Sequence, residues 1–217
     1  MMKTIHSEQV HVGPPALPGE LCTPPDAAAL VLFVHGSGSS RLSERNRRVA
    51  GVLQGHGQAT LLFDLLTDAE AADRRNVFDI ELLGERVEEA LTWVEGYAGT
   101  AGLPVGLFGA STGAAAALIA AAARPSRVAA VVSRGGRPDL AAAALARVEA
   151  PTLLIVGGAD VDVLELNRAA MRQLKCNKRL EVVPGATHLF DEPGALDSVA
   201  ELAAAWFENH LVRRRYA

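Results

Sequence analysis

Short apolar runs alternate with amphipathic stretches along this chain, and the alternation predicts strands separated by helices. A short run of branched and other apolar residues is typical of a buried strand, whereas apolar positions that repeat every three to four residues predict a helix. Six runs fit buried strands, at residues 29–34, 59–66, 105–108, 128–132, 151–156 and 180–183. Two weaker candidates, 10–12 and 20–23, lie among prolines, which favours edge strands or loops there.

Helical patterns fill most of the intervals between these strands. In residues 79–97, the apolar side chains from Ile80 to Val94 fall on one helical face. The other stretches that predict helices are 44–56, 112–123, 138–148, 162–174 and 195–211. The polar, acidic segment 67–76 is expected to be a loop.

This order of elements predicts the fold class. Strands and helices alternate six times, and crossovers of this length join parallel strands. We therefore expect an α/β protein, a three-layer α/β/α sandwich around a mostly parallel, doubly wound sheet, as a single domain over residues 1–217. The carboxyl ends of parallel strands share one rim of such a sheet, and ligands bind at that rim.

One sequence at this rim predicts a nucleophile. Residues 109–113 read Gly-Ala-Ser-Thr-Gly and lie between the strand 105–108 and the helix that begins at Thr112. A tight strand-to-helix turn exposes the hydroxyl of Ser111, and the two glycines let neighbouring backbone approach closely. The alternative is a Gly/Ser turn of the kind found in any α/β protein.

Further chemistry-bearing residues follow other strands and fall on the same rim. The segment His-Gly-Ser-Gly at 35–38 follows the strand 29–34, Asp160 follows 151–156, and His188 follows 180–183. Nucleophile, acid and histidine in this chain order are typical of the α/β-hydrolase fold. Two points stay open from the residues alone: Asp162 competes with Asp160 for the acid, and His188 could lack a partner.

Residues 35–38, 109–113, 157–160 and 185–188 together resemble the dienelactone-hydrolase-like group of α/β-hydrolases. The resemblance covers roughly residues 29–210, and it favours Asp160 over Asp162 as the acid. Dienelactone hydrolases carry a cysteine nucleophile, so the serine at position 111 points toward esterase chemistry.

The chemistry of acyl transfer then predicts a role for each residue. Ser111 would attack the carbonyl, His188 would carry the proton, and Asp160 would orient the imidazole. The backbone N–H groups of Ser37 and Thr112 would form the oxyanion hole. His35 precedes the oxyanion turn, and we expect it to bond loop backbone.

The segment after residue 132 bears on substrate specificity. Only residues 133–150 stand where many hydrolases of this fold insert a lid, which predicts an open site for small acyl esters. Arg134 follows a strand on the active rim and has two interpretations: it could anchor a substrate carboxylate, or form a salt bridge that fixes loops.

Composition and net charge bear on the binding partners and the cellular location of the protein. The 217 residues are 49% hydrophobic and carry a formal net charge of −4, which gives no indication of nucleic-acid binding.

Cys22 and Cys176 make no disulfide framework, and no signal peptide or membrane span is evident, so we expect a cytoplasmic protein without a membrane partner. No spacing suits a metal, and we expect no cofactor. Arg213 to Arg215 are expected to form a solvated tail, and the oligomeric state is left open.

The function predicted from these residues is a serine hydrolase that cleaves small carboxylic esters through an acyl-enzyme. A thioesterase or a lactonase would use the same three residues. A non-catalytic α/β-hydrolase scaffold that serves as an accessory module is the alternative from a different class.

Overall fold

Eight strands form one sheet in the computed structural model, which describes residues 4–212. The strands are β1 (His6–Val12), β2 (Leu17–Thr23), β3 (Ala29–Val34), β4 (Gln58–Phe63), β5 (Val105–Ala110), β6 (Val128–Arg134), β7 (Thr152–Gly157) and β8 (Lys178–Val183). Their order across the sheet is β1-β2-β4-β3-β5-β6-β7-β8, and all pairs from β4 to β8 are parallel. The predicted mostly parallel, doubly wound sheet is confirmed.

Helices cover both faces of this sheet. They are α1 (Glu44–Gly55), α2 (Asp68–Ala71), α3 (Arg74–Val77), α4 (Ile80–Gly96), α5 (Thr112–Ala123), α6 (Ala142–Leu145), α7 (Val161–Gln173) and α8 (Ala195–Phe207). One hydrophobic core lies under α4, α5 and α7, and a second core lies under α1 and α8 on the opposite face. The three-layer architecture is therefore confirmed, and within residues 4–212 no lid covers the rim where the parallel strands end.

The proline-rich N-terminal region contains complete strands. β1 and β2 form an antiparallel hairpin, and β2 also pairs with β4, so β1 alone is the outer strand of the pair. Pro14 and Pro15 lie in the connecting turn, where a missing N–H costs nothing. Pro18 lies at the start of β2, a position that tolerates proline.

Two segments differ locally from the prediction. Residues 67–76, expected to be a loop, contain α2 and α3. Thr67 and Glu70 form a reciprocal capping box at the start of α2, and the Asp73 carboxylate caps α3, which explains why such short helices form. The predicted helix over 138–148 is a 3-10 turn at Pro138–Ala141 followed by the single turn of α6.

The alanine-rich helix α5 packs closely against both the sheet and α4. Ala114 to Ala117 are 0% exposed. Gly84 of α4 faces this helix so closely that an added Cβ would lie 2.9 Å from Cγ2 of Ile119. Small side chains on both helices therefore set the short separation, and they fix the N-terminus of α5 beneath the rim.

The remaining predictions concern the tail, the single domain, membrane spans and the cysteines. The predicted tail at Arg213 to Arg215 lies outside the described residues, and the single domain over 1–217 stays a prediction. None of the helices within residues 4–212 is both long enough and apolar enough to cross a bilayer. Cys22 and Cys176 are free thiols.

Candidate active site

Ser111 occupies a strained turn between β5 and α5. Its φ is 51° and its ψ is −124°, a region that non-glycine residues seldom adopt. The glycines on either side allow the turn, since a Cβ on Gly109 would lie 2.5 Å from Cα of Ala114 and one on Gly113 would overlap the Val34 carbonyl. The predicted strand-turn-helix geometry around this serine is therefore present.

His188 lies between Ser111 and Asp160. Its Nδ1 is 2.7 Å from Oδ2 of Asp160, and its Nε2 is 3.3 Å from Oγ of Ser111. The Asp160 side chain is 15% exposed and the imidazole 38% exposed. Because a carboxylate can only accept, it holds the imidazole proton on Nδ1 and leaves Nε2 able to accept the serine proton.

The competing carboxylate of Asp162 lies elsewhere. Asp160 immediately precedes α7 but makes no capping bond to it, so its carboxylate is directed toward His188. Asp162 lies exposed in the first turn of α7, and within residues 4–212 it makes no hydrogen bond or ion pair to the imidazole. The structure thus brings together the three residues that sequence reasoning favoured.

Backbone hydrogen bonds join the loops that carry the acid and the histidine. The N–H of Gly158 donates to the Val183 carbonyl at 2.8 Å, and the N–H of Ala159 donates to the Ala186 carbonyl at 2.9 Å. These bonds link the segment after β7 to the segment after β8. Asp160 and His188 are consequently held as neighbours by main chain as well as by their own contact.

The predicted oxyanion donors lie beside the nucleophile. Thr112 supplies the first N–H of α5, a group that has no partner inside the helix. Gly36 packs against the nucleophile, because a Cβ there would lie 3.0 Å from Cβ of Ser111. The N–H of Ser37, however, already donates to Oγ1 of Thr112 at 2.8 Å, a bond that the sequence did not predict.

His35 holds the oxyanion turn through both ring nitrogens. Nδ1 bonds the Gly36 carbonyl at 3.0 Å, and Nε2 accepts the N–H of Leu65 at 3.1 Å. This pair of bonds requires the neutral ring with its proton on Nδ1. Burial lowers the pKa of His35 below its usual value, although the Gly36 bond and the negative charge of Asp64 oppose the shift.

Arg134, the last residue of β6, is buried. It is 7% exposed, its Nη2 lies 3.4 Å from Oδ1 of Asn46, and its guanidinium lies 5.9 Å from the centre of the Phe190 ring. Burial lowers the pKa of Arg134 to about 10, with Arg45 adding to the shift and Asp191 opposing it. Among residues 4–212 no carboxylate forms a salt bridge with it, so the loop-fixing salt bridge is absent there.

A pocket of about 340 Å³ adjoins the oxyanion turn. Gly36 and Ser37 form one side, and the apolar part of its lining comes from Leu65, Leu66, Ala71, Val77 and Leu83. Sequence reasoning missed this pocket because α2 and α3, which supply part of the wall, were expected to be a loop. The sequence Thr67-x-x-Glu70 was the signal that could have indicated a helix there.

The parallel sheet and the strained serine turn are typical of the α/β-hydrolase fold. The chain belongs to the dienelactone hydrolase family, which matches residues 43–211. The predicted resemblance to this family is confirmed. Within residues 4–212 no group of three or more His, Cys, Asp or Glu side chains could hold a metal ion; the expected absence of a cofactor stays a prediction.

Individual relatives agree with this assignment. The chain is similar to a dienelactone hydrolase from Anabaena variabilis, with 54% identity and a TM-score of 0.92 over 96% of this chain and 98% of that one. Est1E from Butyrivibrio proteoclasticus shares the fold at 15% identity, with a TM-score of 0.78 over 94% of this chain and 98% of that one.

A longer relative carries a different name. The chain is 59% identical over 203 residues to the Mycobacterium tuberculosis protein named "Putative phosphoribosyl transferase". The match covers 94% of this chain and 46% of that protein. The chain thus spans about half the length of the curated relatives it matches.

The neutral state of His35 predicts a pH dependence of stability. The folded protein binds a proton at this ring less readily than the unfolded chain, whose histidines titrate near pH 6.5. The contribution is therefore fully present above about pH 6.5 and is lost as the pH falls through the folded pKa. Urea unfolding from pH 8 to pH 5 should show a smaller loss of stability for His35→Asn than for the unchanged protein.

His11→Asn provides the matched control, since His11 is an exposed strand residue away from this site. Its stability should vary with pH as that of the unchanged protein does. Identical pH dependence in all three proteins would contradict the role given to the His35 proton.

Proposed function

We propose that this hydrolase cleaves small carboxylic esters through a covalent acyl-serine intermediate. The observation that carries the proposal is the position of His188, 3.3 Å from Ser111 Oγ and 2.7 Å from Asp160 Oδ2. A serine hydroxyl is a weak nucleophile unless a base takes its proton, and a base works best when a third group fixes its tautomer.

Acylation uses these residues in sequence. Ser111 Oγ forms a bond to the acyl carbon, its proton moves to Nε2 of His188, and the carbonyl π pair moves onto oxygen as an oxyanion. The positive imidazole is stabilised by the Asp160 carboxylate. When the oxyanion collapses, the bond to the leaving oxygen breaks and the proton on Nε2 passes to the departing alcohol.

Deacylation repeats the same steps with water. His188 takes a proton from water, the water oxygen bonds to the acyl carbon, and the acyl–Ser111 bond breaks as the proton returns to Oγ. The products are a carboxylic acid and the free enzyme. Thioesters and lactones present the same electrophilic carbon, so they remain alternative substrates for the same residues.

Labelling with a fluorophosphonate tests this proposal directly, because the probe reacts covalently with an activated serine. We expect one label on Ser111, loss of the label in Ser111→Ala, and turnover of at least one member of a panel of short esters, thioesters and lactones. A folded protein that neither takes the label nor hydrolyses the panel would instead be the non-catalytic accessory module.

The name of the Mycobacterium tuberculosis relative gives no activity for this chain. That name describes a protein of which the match covers 46%, so a transferase activity there has no assigned place in the matched half. The 54% identical relative, matched over 98% of its length, has the name of a hydrolase and supports ester or lactone chemistry here.

Replacement of Asp160 by asparagine should lower kcat much more than the same replacement of Asp162. Asp160→Asn retains the shape but no longer fixes the imidazole proton on Nδ1, and the corresponding change in a serine protease lowers kcat about ten-thousandfold. Asp162→Asn is the matched control two residues away, and we expect less than a threefold change. Steady-state measurement of kcat on one ester tests this prediction. Equal losses of kcat in the two variants would contradict the choice of Asp160 as the acid.

The pocket of about 340 Å³ beside the oxyanion turn should limit the length of acyl chain that still raises kcat/KM. Each buried methylene is worth about 0.8 kcal/mol, or about fourfold in kcat/KM, whereas a methylene left in water adds nothing. Rates on a series of straight-chain esters should therefore peak at short acyl groups and flatten or fall beyond them.

A larger side chain in the pocket should lower the acyl length at which kcat/KM is highest. Val77→Trp places such a side chain in the wall and should shift this maximum to shorter acyl groups. Leu140→Trp is the control, because Leu140 is exposed and does not line the pocket. A kcat/KM that keeps rising through long acyl chains in all three proteins would contradict the assignment of the pocket.

Arg134 is proposed as an anchor for an ester that carries a free carboxylate. The guanidinium has no carboxylate partner within residues 4–212, and Nε of Arg134 makes no hydrogen bond. Arg134→Met keeps the apolar stem and removes the charge, so it should abolish any preference for carboxylate-bearing over neutral esters. Paired kcat/KM measurements test this, and an equal loss on both esters would make Arg134 a structural residue.

A further inference from the structure

The hydroxyl of Thr112 belongs to the residue next to the nucleophile and accepts a hydrogen bond from the oxyanion turn. The residue is 7% exposed, and its Oγ1 accepts the N–H of Ser37 at 2.8 Å. Among residues 4–212, this bond is the side-chain hydrogen bond of Thr112, and in it the hydroxyl acts as acceptor. A hydroxyl has one donor proton besides its lone pairs, so Oγ1 can donate to a second group while it accepts from Ser37.

The surroundings of this hydroxyl identify the acceptor. Thr112 directly follows the nucleophile, and its Oγ1 bridges to Ser37 on the turn that packs against Ser111 through Gly36. The hydroxyl of the residue after the nucleophile therefore contacts the oxyanion turn. During acylation, the atom that gains negative charge in this space is the former carbonyl oxygen.

We propose that the Thr112 hydroxyl is itself a donor of the oxyanion hole and that the Ser37 N–H acts through it. This inference rests on the proposed esterase function and deepens it. The backbone N–H and the side-chain O–H of Thr112 both bind the oxyanion. Ser37 is a positioning residue, because its N–H holds Oγ1 in place and polarises the O–H that donates onward.

This arrangement favours the transition state over the bound ester. A neutral carbonyl is a weaker acceptor than an oxyanion, so the O–H bond strengthens as charge develops. An interaction made mainly in the transition state raises kcat and leaves KM nearly unchanged. Removal of the hydroxyl should therefore have a kinetic signature that general loss of packing would not produce.

Two substitutions at position 112 separate the hydroxyl from the side-chain volume. Thr112→Val is nearly isosteric and removes only the O–H, whereas Thr112→Ser keeps the O–H and removes the methyl group. Both keep the backbone N–H. We expect Thr112→Val to lower kcat by roughly 100- to 1000-fold with KM changed less than threefold, and Thr112→Ser to stay within about tenfold of the unchanged protein.

A transition-state analogue provides an independent measurement. A trifluoromethyl ketone forms a tetrahedral oxyanion adduct with an active serine, so its affinity should fall in Thr112→Val by about the same factor as kcat/KM. Thermal unfolding checks that each variant is folded, and Thr112→Ala replaces the valine variant if that protein fails to fold.

Several results would overturn the proposal. Thr112→Val, or Thr112→Ala in its place, with a kcat within threefold of the unchanged protein would show that the hydroxyl does not bind the oxyanion. Equal losses in the valine and serine variants would assign the effect to the packing of the side chain rather than to the hydroxyl. In both cases, fluorophosphonate labelling of Ser111 would still support the esterase. Absence of labelling and of hydrolysis in the unchanged protein would overturn both proposals.

Discussion

The close approach of backbone around the serine turn is the constraint on which the rest of the structure depends. Ser111 has a positive φ, and Gly113 lies so near the Val34 carbonyl that no side chain would fit. Such strain persists only where the surroundings over-determine the conformation. The surroundings here are β3, β5 and α5, whose alanines pack at short range. Close packing of α5 therefore accounts both for its alanine-rich composition and for the turn that exposes the Ser111 hydroxyl.

Much of the sheet could be predicted from the sequence because its central strands are buried on both faces. β3 was predicted at its observed bounds, and β7 and β8 were predicted within one or two residues. The short helices α2 and α3 were missed because they have no apolar stripe and depend on caps. The hairpin of β1 and β2 was only partly predicted, since pairing with β4 stabilises it and local propensity does not.

The candidate site was predictable to a different extent for each residue. Topology alone places the carboxyl ends of β5, β7 and β8 on one rim, which explains why Ser111, Asp160 and His188 could be named together. Side-chain partners were not predictable, because they depend on distances between loops that are far apart in sequence. The bond from Ser37 to Thr112 and the burial of Arg134 against Phe190 are both of this kind.

The main-chain bonds between the loops after β7 and β8 have a mechanical consequence. Because Gly158 and Ala159 are bonded to the segment that carries the imidazole, the acid and the base are preassembled on one backbone unit. The serine belongs to a different unit, the turn between β5 and α5. The contact of 3.3 Å between Nε2 and Oγ of Ser111 therefore joins two units of backbone, whereas the contact of 2.7 Å between the imidazole and Asp160 lies within one.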